Sequence, residues 1–189
     1  MKVKLCGLFR DIDIDYANAA MPDYIGFVFA GSKRQVTPGQ AKAMKARLNP
    51  AIKAVGVFVD ASVDEIIALC EAGTIDLVQL HGHEDQAYID ALKAGMDVPV
   101  IKAMHGEDVQ SYTCEYYLLD GAVAGSGHAF DWRKIKTPDK PFFLAGGIGP
   151  DNVQEAMKTG AYAIDLSSGI ETGGVKDPKK MIEIVRAAR

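Results

Sequence analysis

A cysteine closes the first apolar run of this chain, at the point where a strand is expected to end. The run Val3-Lys4-Leu5-Cys6 is followed at once by Gly7, a residue that favours a turn. Side chains at the carboxyl ends of strands are the ones that an α/β enzyme presents to its substrate. A thiol placed there is suited to act as a nucleophile or as a base, and an inert core thiol is the third interpretation. Cys6 alone does not decide between these roles.

Two glycine-rich turns late in the chain favour a phosphate ligand. Leu144-Ala145-Gly146-Gly147-Ile148 and Asp165-Leu166-Ser167-Ser168-Gly169 each contain the end of an apolar run. Glycine lets backbone N–H groups approach an anion closely, and the loops after the seventh and eighth strands are the usual phosphate site of a (β/α)8 barrel. We therefore predict that a phosphorylated ligand binds at these turns, with ordinary tight turns as the alternative.

Two charged residues are further candidates for the site. Asp120 ends the run Tyr116-Tyr117-Leu118-Leu119-Asp120, either as a cap for the next turn or as an acid at the mouth of a barrel. Arg34 follows Ser32-Lys33, and its planar guanidinium is suited to bind a carboxylate. A solvated loop charge is the alternative for Arg34. The sequence around either residue leaves both interpretations open.

Eight short apolar runs alternate with amphipathic stretches, which is the pattern of an α/β fold with a (β/α)8 TIM barrel. Near-continuous apolar runs are typical of parallel strands covered on both faces. The stretch after the fifth run, Gly106 to Thr113, has room for a short helix only, so we predict a shortened fifth helix. A doubly wound open sheet is the alternative, and no GxGxxG motif follows the first run to support it. The predicted strands are Val3-Cys6, Tyr24-Phe29, Ala54-Val59, Leu77-His81, Val98-Ala103, Tyr116-Asp120, Phe142-Ala145 and Ala163-Leu166.

Length and charge narrow the classes of protein that fit. The chain has 189 residues, which predicts one domain over 1–189. Its formal net charge is −4 and it has no basic run, so we expect no nucleic-acid partner. No apolar stretch has membrane-spanning length and no signal-peptide pattern appears. We therefore expect a cytoplasmic protein with no membrane partner.

The cysteines and histidines do not predict a metal site. Cys6, Cys70 and Cys114 are odd in number and irregularly spaced, which fits neither a disulfide framework nor a structural zinc site. His81 and His83 lack a third ligand at a telling spacing. We interpret His81 as a strand-end histidine that packs near the site.

Nearly from end to end, the chain resembles the phosphoribosylanthranilate isomerase family of tryptophan biosynthesis. Lys4-Leu5-Cys6-Gly7 is similar to the start of that family, and Ser32-Lys33-Arg34 is similar to its arginine loop. The resemblance continues in Gly26-Phe27-Val28-Phe29, Val55-Gly56-Val57-Phe58-Val59, Val78-Gln79-Leu80-His81-Gly82, Leu118-Leu119-Asp120, Gly125-Ser126-Gly127, Phe130-Asp131-Trp132, Leu144-Ala145-Gly146-Gly147 and Asp165-Leu166-Ser167-Ser168-Gly169-Ile170-Glu171.

The resemblance implies an Amadori rearrangement of a small phosphosugar, carried out without a cofactor. N-(5-phosphoribosyl)anthranilate becomes 1-(2-carboxyphenylamino)-1-deoxyribulose 5-phosphate in such an enzyme, which is a monomer or a homodimer. By resemblance, Cys6 is the general base and Asp120 the general acid, and Arg34 binds the anthranilate carboxylate. The resemblance places the phosphate site at Gly146, Gly147, Ser168 and Gly169. Asp165 is a further expected substrate-binding residue.

This chemistry requires different environments for the two catalytic groups. The acid needs a raised pKa and the base a lowered one, so we expect the pKa of Asp120 to be raised and that of Cys6 to be lowered. One rival is the sister isomerase of histidine biosynthesis, which uses aspartates at both catalytic positions, so Cys6 argues against it. The other rival is a non-catalytic phosphosugar-binding barrel, which would not need both Cys6 and Asp120.

Overall fold

The predicted strands form a closed barrel in the structure, a computed structural model that describes residues 1–105, 111–121, 132 and 137–189. Each strand pairs in parallel with the next one along the chain, and the last strand pairs in parallel with the first. The closed barrel confirms the predicted fold and excludes the open sheet. Its strands are β1 Lys2–Cys6, β2 Tyr24–Val28, β3 Lys53–Phe58, β4 Leu77–Leu80, β5 Val100–His105, β6 Tyr116–Asp120, β7 Phe142–Ala145 and β8 Ala163–Leu166.

Helices cover the outside of the barrel. The described residues include α1 Asp11–Ala20, α2 Pro38–Arg47, α3 Val63–Glu71, α4 Gln86–Gly95, α5 Val153–Ala156 and α6 Pro178–Ala187. A two-stranded antiparallel ribbon, β9 Glu171–Thr172 with β10 Val175–Lys176, follows β8. Among the described helices, none has both the length and the apolar character needed to cross a membrane. The predicted shortened fifth helix falls mainly on residues 106–110, which lie outside the described residues, and so does most of the connection between β6 and β7.

Local sequence determines where α2 begins. Thr37 accepts a hydrogen bond from the Gln40 backbone N–H, and the Gln40 side chain accepts one from the Thr37 backbone N–H. Pro38 occupies the first helical position, where its missing N–H costs nothing. Because of this reciprocal cap, α2 does not extend towards the N-terminus past Thr37. The loop that carries Arg34 therefore ends at Thr37.

The side chains of each strand alternate between the inside and the outside of the barrel. The inward-facing set packs into a cluster of its own, separate from the larger cluster between the barrel and the helices. Because residues i and i+2 of a strand lie on the same face, an inward-facing residue predicts that the residue two positions later also faces inward. Ala163 therefore implies that Asp165 faces inward, and Leu118 implies the same for Asp120. The alternation thus directs side chains at the carboxyl ends of different strands into the same interior of the barrel.

An aromatic group fills the amino end of the barrel. The Phe143 ring is fully buried, and its centroid lies 5.4 Å from that of Tyr24, 5.6 Å from that of Tyr116 and 5.7 Å from that of Tyr162. The hydroxyls of Tyr24 and Tyr162 lie 2.9 Å apart, within hydrogen-bond distance. These rings close the interior at the end of the barrel opposite to the carboxyl ends of the strands.

Removing the Phe143 ring is expected to destabilise the barrel. We predict that Phe143→Ala lowers the free energy of unfolding by roughly 3–5 kcal/mol, because it empties a packed site that cannot collapse. Urea unfolding followed by circular dichroism measures this. The matched control is Ile12→Ala on the exposed side of α1, where we expect a change of about 0.5 kcal/mol or less. Equal losses in the two variants would contradict the role of the aromatic group.

Candidate active site

A cavity of about 380 Å³ opens at the carboxyl end of the barrel and brings together most of the predicted site residues. Cys6 and Asp120 reach it from opposite parts of the barrel, at the ends of β1 and β6. The turns after β7 and β8 supply much of its remaining wall. Six of the eight predicted residues line the cavity, and they are Cys6, Asp120, Gly146, Gly147, Asp165 and Ser168. The other two contact lining residues, because the Arg34 backbone N–H donates to the Ser32 hydroxyl and Gly169 packs against the Ile148 carbonyl.

Gly26 leaves the space that the Cys6 thiol occupies. The two residues are partners in the pairing of β1 with β2. A Cβ atom added at Gly26 would lie 2.7 Å from Cys6 Sγ and 3.1 Å from Cys6 Cα, closer than real carbon contacts allow. The glycine therefore sets the position of the sulfur. Cys6 is almost buried, with 8% of the residue exposed.

Burial and charge act on the Cys6 thiol in opposite directions. Burial raises its pKa and the carboxylate of Asp165 adds to this, whereas the ammonium groups of Lys4 and Lys176 lower it. The net direction is upward from the ordinary thiol value of 9.0. The expected lowering of the Cys6 pKa is therefore wrong, because removal from water outweighs the two cations.

A buried ion pair lies directly below the thiol. Lys4 Nζ donates to Asp165 Oδ2 at 2.8 Å, and the Lys4 side chain is fully buried. The two residues are partners in the pairing of β1 with β8. Asp165 Oδ1, the second oxygen of this carboxylate, is also buried and has no hydrogen-bond partner among the described residues. Asp165 is therefore engaged on one side by Lys4 and available on the other.

His81 stands next to Asp120 at the mouth of the barrel. Its Nε2 lies 3.8 Å from Asp120 Oδ2. Its Nδ1 lies 3.0 Å from the side-chain nitrogen of Gln79, which is buried inside the barrel. With that nitrogen as the donor, a neutral His81 ring carries its proton on Nε2, the atom that faces Asp120. The sequence placed His81 near the site but gave no sign that Gln79 would orient it.

Arg34 is held by a carboxylate and is not a solvated loop charge. Its Nε donates to Glu171 Oε1 at 2.6 Å, and its Nη2 donates to Glu171 Oε2 at 2.8 Å. The side chain passes over Gly7, where a Cβ atom would lie 2.5 Å from Arg34 Cδ. Gly7 also has a φ of +74°, which favours glycine. The glycine after Cys6 thus lets the arginine lie beside the catalytic end of β1.

Glu171 and Lys176 are functional candidates that the sequence analysis missed. The Lys176 side chain is fully buried, and its Nζ donates to Glu171 Oε1 at 2.8 Å and to the Ser167 carbonyl at 3.0 Å. Burial alone would raise the pKa of Glu171, but the hydrogen bonds from Arg34 and Lys176 outweigh it and hold that pKa at about 2. Glu171 is the last residue of the segment from Asp165 that resembles the family, but nothing in that segment indicates its contacts with Arg34 and Lys176.

The two glycine turns pack against each other and form one surface. A Cβ atom at Gly169 would overlap the Ile148 carbonyl, so only glycine permits this approach. Gly146 and Gly147 have φ angles of +103° and +65°. The Asn152 side chain fixes the first turn, because it accepts from the Gly149 N–H at 2.8 Å and donates to the Gly147 carbonyl at 2.9 Å.

The geometry supports acid–base chemistry on a bound anion. A thiol and a carboxyl face one cavity, and backbone turns able to bind a phosphate line the same space. Within the described residues, no group of three or more His, Cys, Asp or Glu side chains is placed to hold a metal ion.

Comparison with known proteins assigns a family to this site. Residues 3–187 match the family model described as N-(5'phosphoribosyl)anthranilate (PRA) isomerase. An N-(5'-phosphoribosyl)anthranilate isomerase from Endomicrobium trichonymphae is 46% identical over 196 residues, which cover 100% of this chain and 98% of that protein.

Solved structures agree with this assignment. The crystal structure of phosphoribosyl anthranilate isomerase from Thermus thermophilus is 35% identical, with a TM-score of 0.86, and the match covers 98% of this chain and 97% of that one. A second structure, 27% identical with a TM-score of 0.79, is a complex with reduced 1-(o-carboxyphenylamino)-1-deoxyribulose 5-phosphate, and 100% and 98% of the two chains match. A third, of monomers made from the dimeric enzyme of Thermotoga maritima, is 27% identical with a TM-score of 0.81 and the same coverage.

The opposing influences on Cys6 are measurable through its reactivity. We predict that the alkylation rate of Cys6 by iodoacetamide rises with pH to a midpoint above 9.0, because burial raises the thiol pKa. Lys4→Met should move this midpoint up by about 1 pH unit or more, since it removes a nearby positive charge. Peptide mass spectrometry separates Cys6 from the other two cysteines.

Lys42→Met is the control for that experiment, because Lys42 is an exposed residue of α2 and its removal should leave the midpoint unchanged. A midpoint below 9.0 in the unaltered protein would show that the cations outweigh burial.

Proposed function

The chain belongs to the N-(5'-phosphoribosyl)anthranilate isomerase family, and from this we propose how its cavity carries out the reaction. The enzyme converts N-(5-phosphoribosyl)anthranilate into 1-(2-carboxyphenylamino)-1-deoxyribulose 5-phosphate, a step of tryptophan biosynthesis. The reaction is an aldose–ketose isomerisation within one molecule, so the proposed route requires proton transfers and no external oxidant or reductant. The observation that carries the proposal is that Cys6, Asp120 and the glycine turns line one cavity.

Asp120 is the proposed general acid. Its carboxyl group donates a proton to the furanose oxygen while the bond from C1′ to that oxygen breaks, and the anilino nitrogen supplies the electron pair that forms the Schiff base. The carboxylate that remains faces His81 Nε2 at 3.8 Å. A proton on that nitrogen stabilises the new negative charge, which favours ring opening.

Cys6 is the proposed general base. Its thiolate removes the C2′ proton, the C–H electron pair forms the C1′–C2′ double bond, and the Schiff base nitrogen recovers its lone pair. Protonation at C1′ and loss of the O2′ proton then give the ketone. The raised pKa makes the thiolate a minor species, but the same raised pKa makes each thiolate a stronger base. The positive charges of Lys4 and Lys176 lower the Cys6 pKa in part, and so they increase the fraction of the thiol that is ionised.

The remaining predicted residues are proposed to orient the substrate. Arg34 binds the anthranilate carboxylate, and the phosphate binds to the surface that the two glycine turns form. Asp165 Oδ1, buried and without a described partner, is suited to accept a hydrogen bond from a sugar hydroxyl. Binding both ends of the substrate places C2′ and the ring oxygen between the base and the acid. The binding energy thus orients the reacting atoms for proton transfer.

We also propose that the protein acts in the cytoplasm, as a monomer or a homodimer, with no nucleic-acid or membrane partner. The formal net charge of −4 supports the absence of a nucleic-acid partner, because this charge repels a phosphate backbone. The dimeric relative from Thermotoga maritima supports a homodimer as one of the two states. Sedimentation equilibrium distinguishes the two states.

Substitution of either catalytic group tests the assignment. We predict that Cys6→Ser and Asp120→Asn each lower kcat by a factor of roughly 10² to 10⁴, because each removes a proton-transfer group and leaves the binding surfaces in place. Turnover is followed by the loss of anthranilate-ring fluorescence, and the affinity for the reduced product analogue should change little.

Cys70→Ser and Asp90→Asn are the matched controls, since neither residue lines the cavity. A wild-type protein that binds the analogue but does not turn over the substrate would favour the non-catalytic barrel. Retained turnover in Cys6→Ser or in Asp120→Asn would overturn the role given to that residue.

Gly26 offers a test of the thiol position. Gly26→Ala is expected to lower kcat at least about tenfold, because the added methyl group must displace Cys6 Sγ from its place below the substrate. Gly39→Ala is the control, since a Cβ atom at Gly39 meets nothing within 4 Å. Unchanged turnover in Gly26→Ala, measured by the same fluorescence assay, would show that the sulfur position is not critical.

A further inference from the structure

Glu171 uses only one edge of the Arg34 guanidinium. A guanidinium has five N–H donors, of which one is on Nε and two are on each Nη. Glu171 accepts from Nε and from Nη2, at 2.6 Å and 2.8 Å. Nη1 has no hydrogen-bond partner among the described residues. Since Nη1 and the second proton of Nη2 form another parallel pair of donors, a second carboxylate fits that edge without displacing Glu171.

Glu171 is itself held in place on two sides. Its side chain is 5% exposed, and Lys176, which is fully buried, donates to the same Oε1 that Arg34 contacts. Lys176 is in turn fixed by the Ser167 carbonyl at 3.0 Å, next to Ser168 of the glycine turn. The Arg34 head group therefore takes its orientation from the β8 end of the barrel, although its backbone belongs to the loop after β2.

The charges agree with this arrangement. Two cations, Arg34 and Lys176, share the single carboxylate of Glu171, and the Arg34 side chain is 19% exposed whereas that of Lys176 is buried. The uncompensated positive charge is therefore most accessible at Arg34. The pKa of Glu171, held at about 2 by its hydrogen bonds to Arg34 and Lys176, keeps that carboxylate ionised at neutral pH. An incoming carboxylate completes the charge balance. A neutral group at the same place gains no such pairing.

We propose that Glu171 is a positioning residue that selects carboxylate-bearing substrates through Arg34. It clamps the Nε–Nη2 edge, aims the Nη1–Nη2 edge at the substrate carboxylate and removes the cost of ordering a long flexible side chain at each binding event. The inference rests on the proposed function, because it takes Arg34 as the residue that binds the anthranilate carboxylate.

A steady-state comparison with a double-mutant cycle tests the proposal. Glu171→Gln keeps the shape but loses the charge and one acceptor, and we expect KM to rise roughly 10- to 100-fold, since two charge-assisted bonds are weakened, with kcat within about threefold. Arg34→Ala should raise KM at least as much. The double variant Arg34→Ala/Glu171→Gln should be no worse than Arg34→Ala alone, because Glu171 acts only through Arg34.

Asp76→Asn is the matched control, because it removes a carboxylate paired with Lys45 outside the cavity, and it should leave KM unchanged. Circular dichroism reports folding of each variant. If Glu171→Gln does not fold, Glu171→Asp keeps the charge but is one methylene shorter, and it should raise KM because it cannot span both Arg34 bonds.

Two results would overturn the proposal. The first is an unchanged KM in Glu171→Gln or in Glu171→Asp. The second is a KM loss in the double variant equal to the product of the two single losses, which would mean that Glu171 acts independently of Arg34. A wild-type protein that does not convert the substrate would instead overturn the proposed function, so the two failures are distinguishable.

Discussion

The ion pair between Lys4 and Asp165 is the contact on which the catalytic end of the barrel depends. It joins the first strand to the last at the seam where the sheet closes, and both groups are buried. A lysine inside a barrel is costly unless a carboxylate pairs with it, so the register of β1 against β8 is strongly specified. That register puts Cys6 in the same cavity as Asp165 and the turn that follows β8, where we propose that the phosphate binds.

Charge is distributed unevenly around this seam. Within the described ranges, Lys4, Arg34 and Lys176 pair with two carboxylates, Asp165 and Glu171, which leaves a net positive charge close to the thiol. A substrate that carries both a carboxylate and a phosphate compensates it. Burial of the thiol works against ionisation, so the protein has a weakly populated but strongly basic thiolate in place of an easily ionised one.

Most of the fold followed from the sequence because hydrophobic period and strand spacing are local signals. The eight strands were predicted to within about two residues, and the positions of Cys6 and Asp120 at the carboxyl ends of two of them predicted that both lie at the same mouth. The family resemblance, and not the local pattern, selected one role for each of them. The direction of the Cys6 pKa was wrong because the burial of the thiol depends on tertiary packing, which no local pattern reveals. Glu171, Lys176 and Gln79 were missed for a related reason, since their importance comes from contacts with residues distant in the chain.

The pairing of β1 with β8 also affects how the protein folds during its synthesis. Lys4 is synthesised 161 residues before Asp165. Until that aspartate has emerged, any compact intermediate must either leave Lys4 in water or bury a charge without a counterion. Incomplete barrels are therefore disfavoured just where the thiol will lie, and the catalytic end becomes stable only when the last strand docks. We therefore expect a nascent chain to complete this end of the barrel only after the eighth strand has been synthesised.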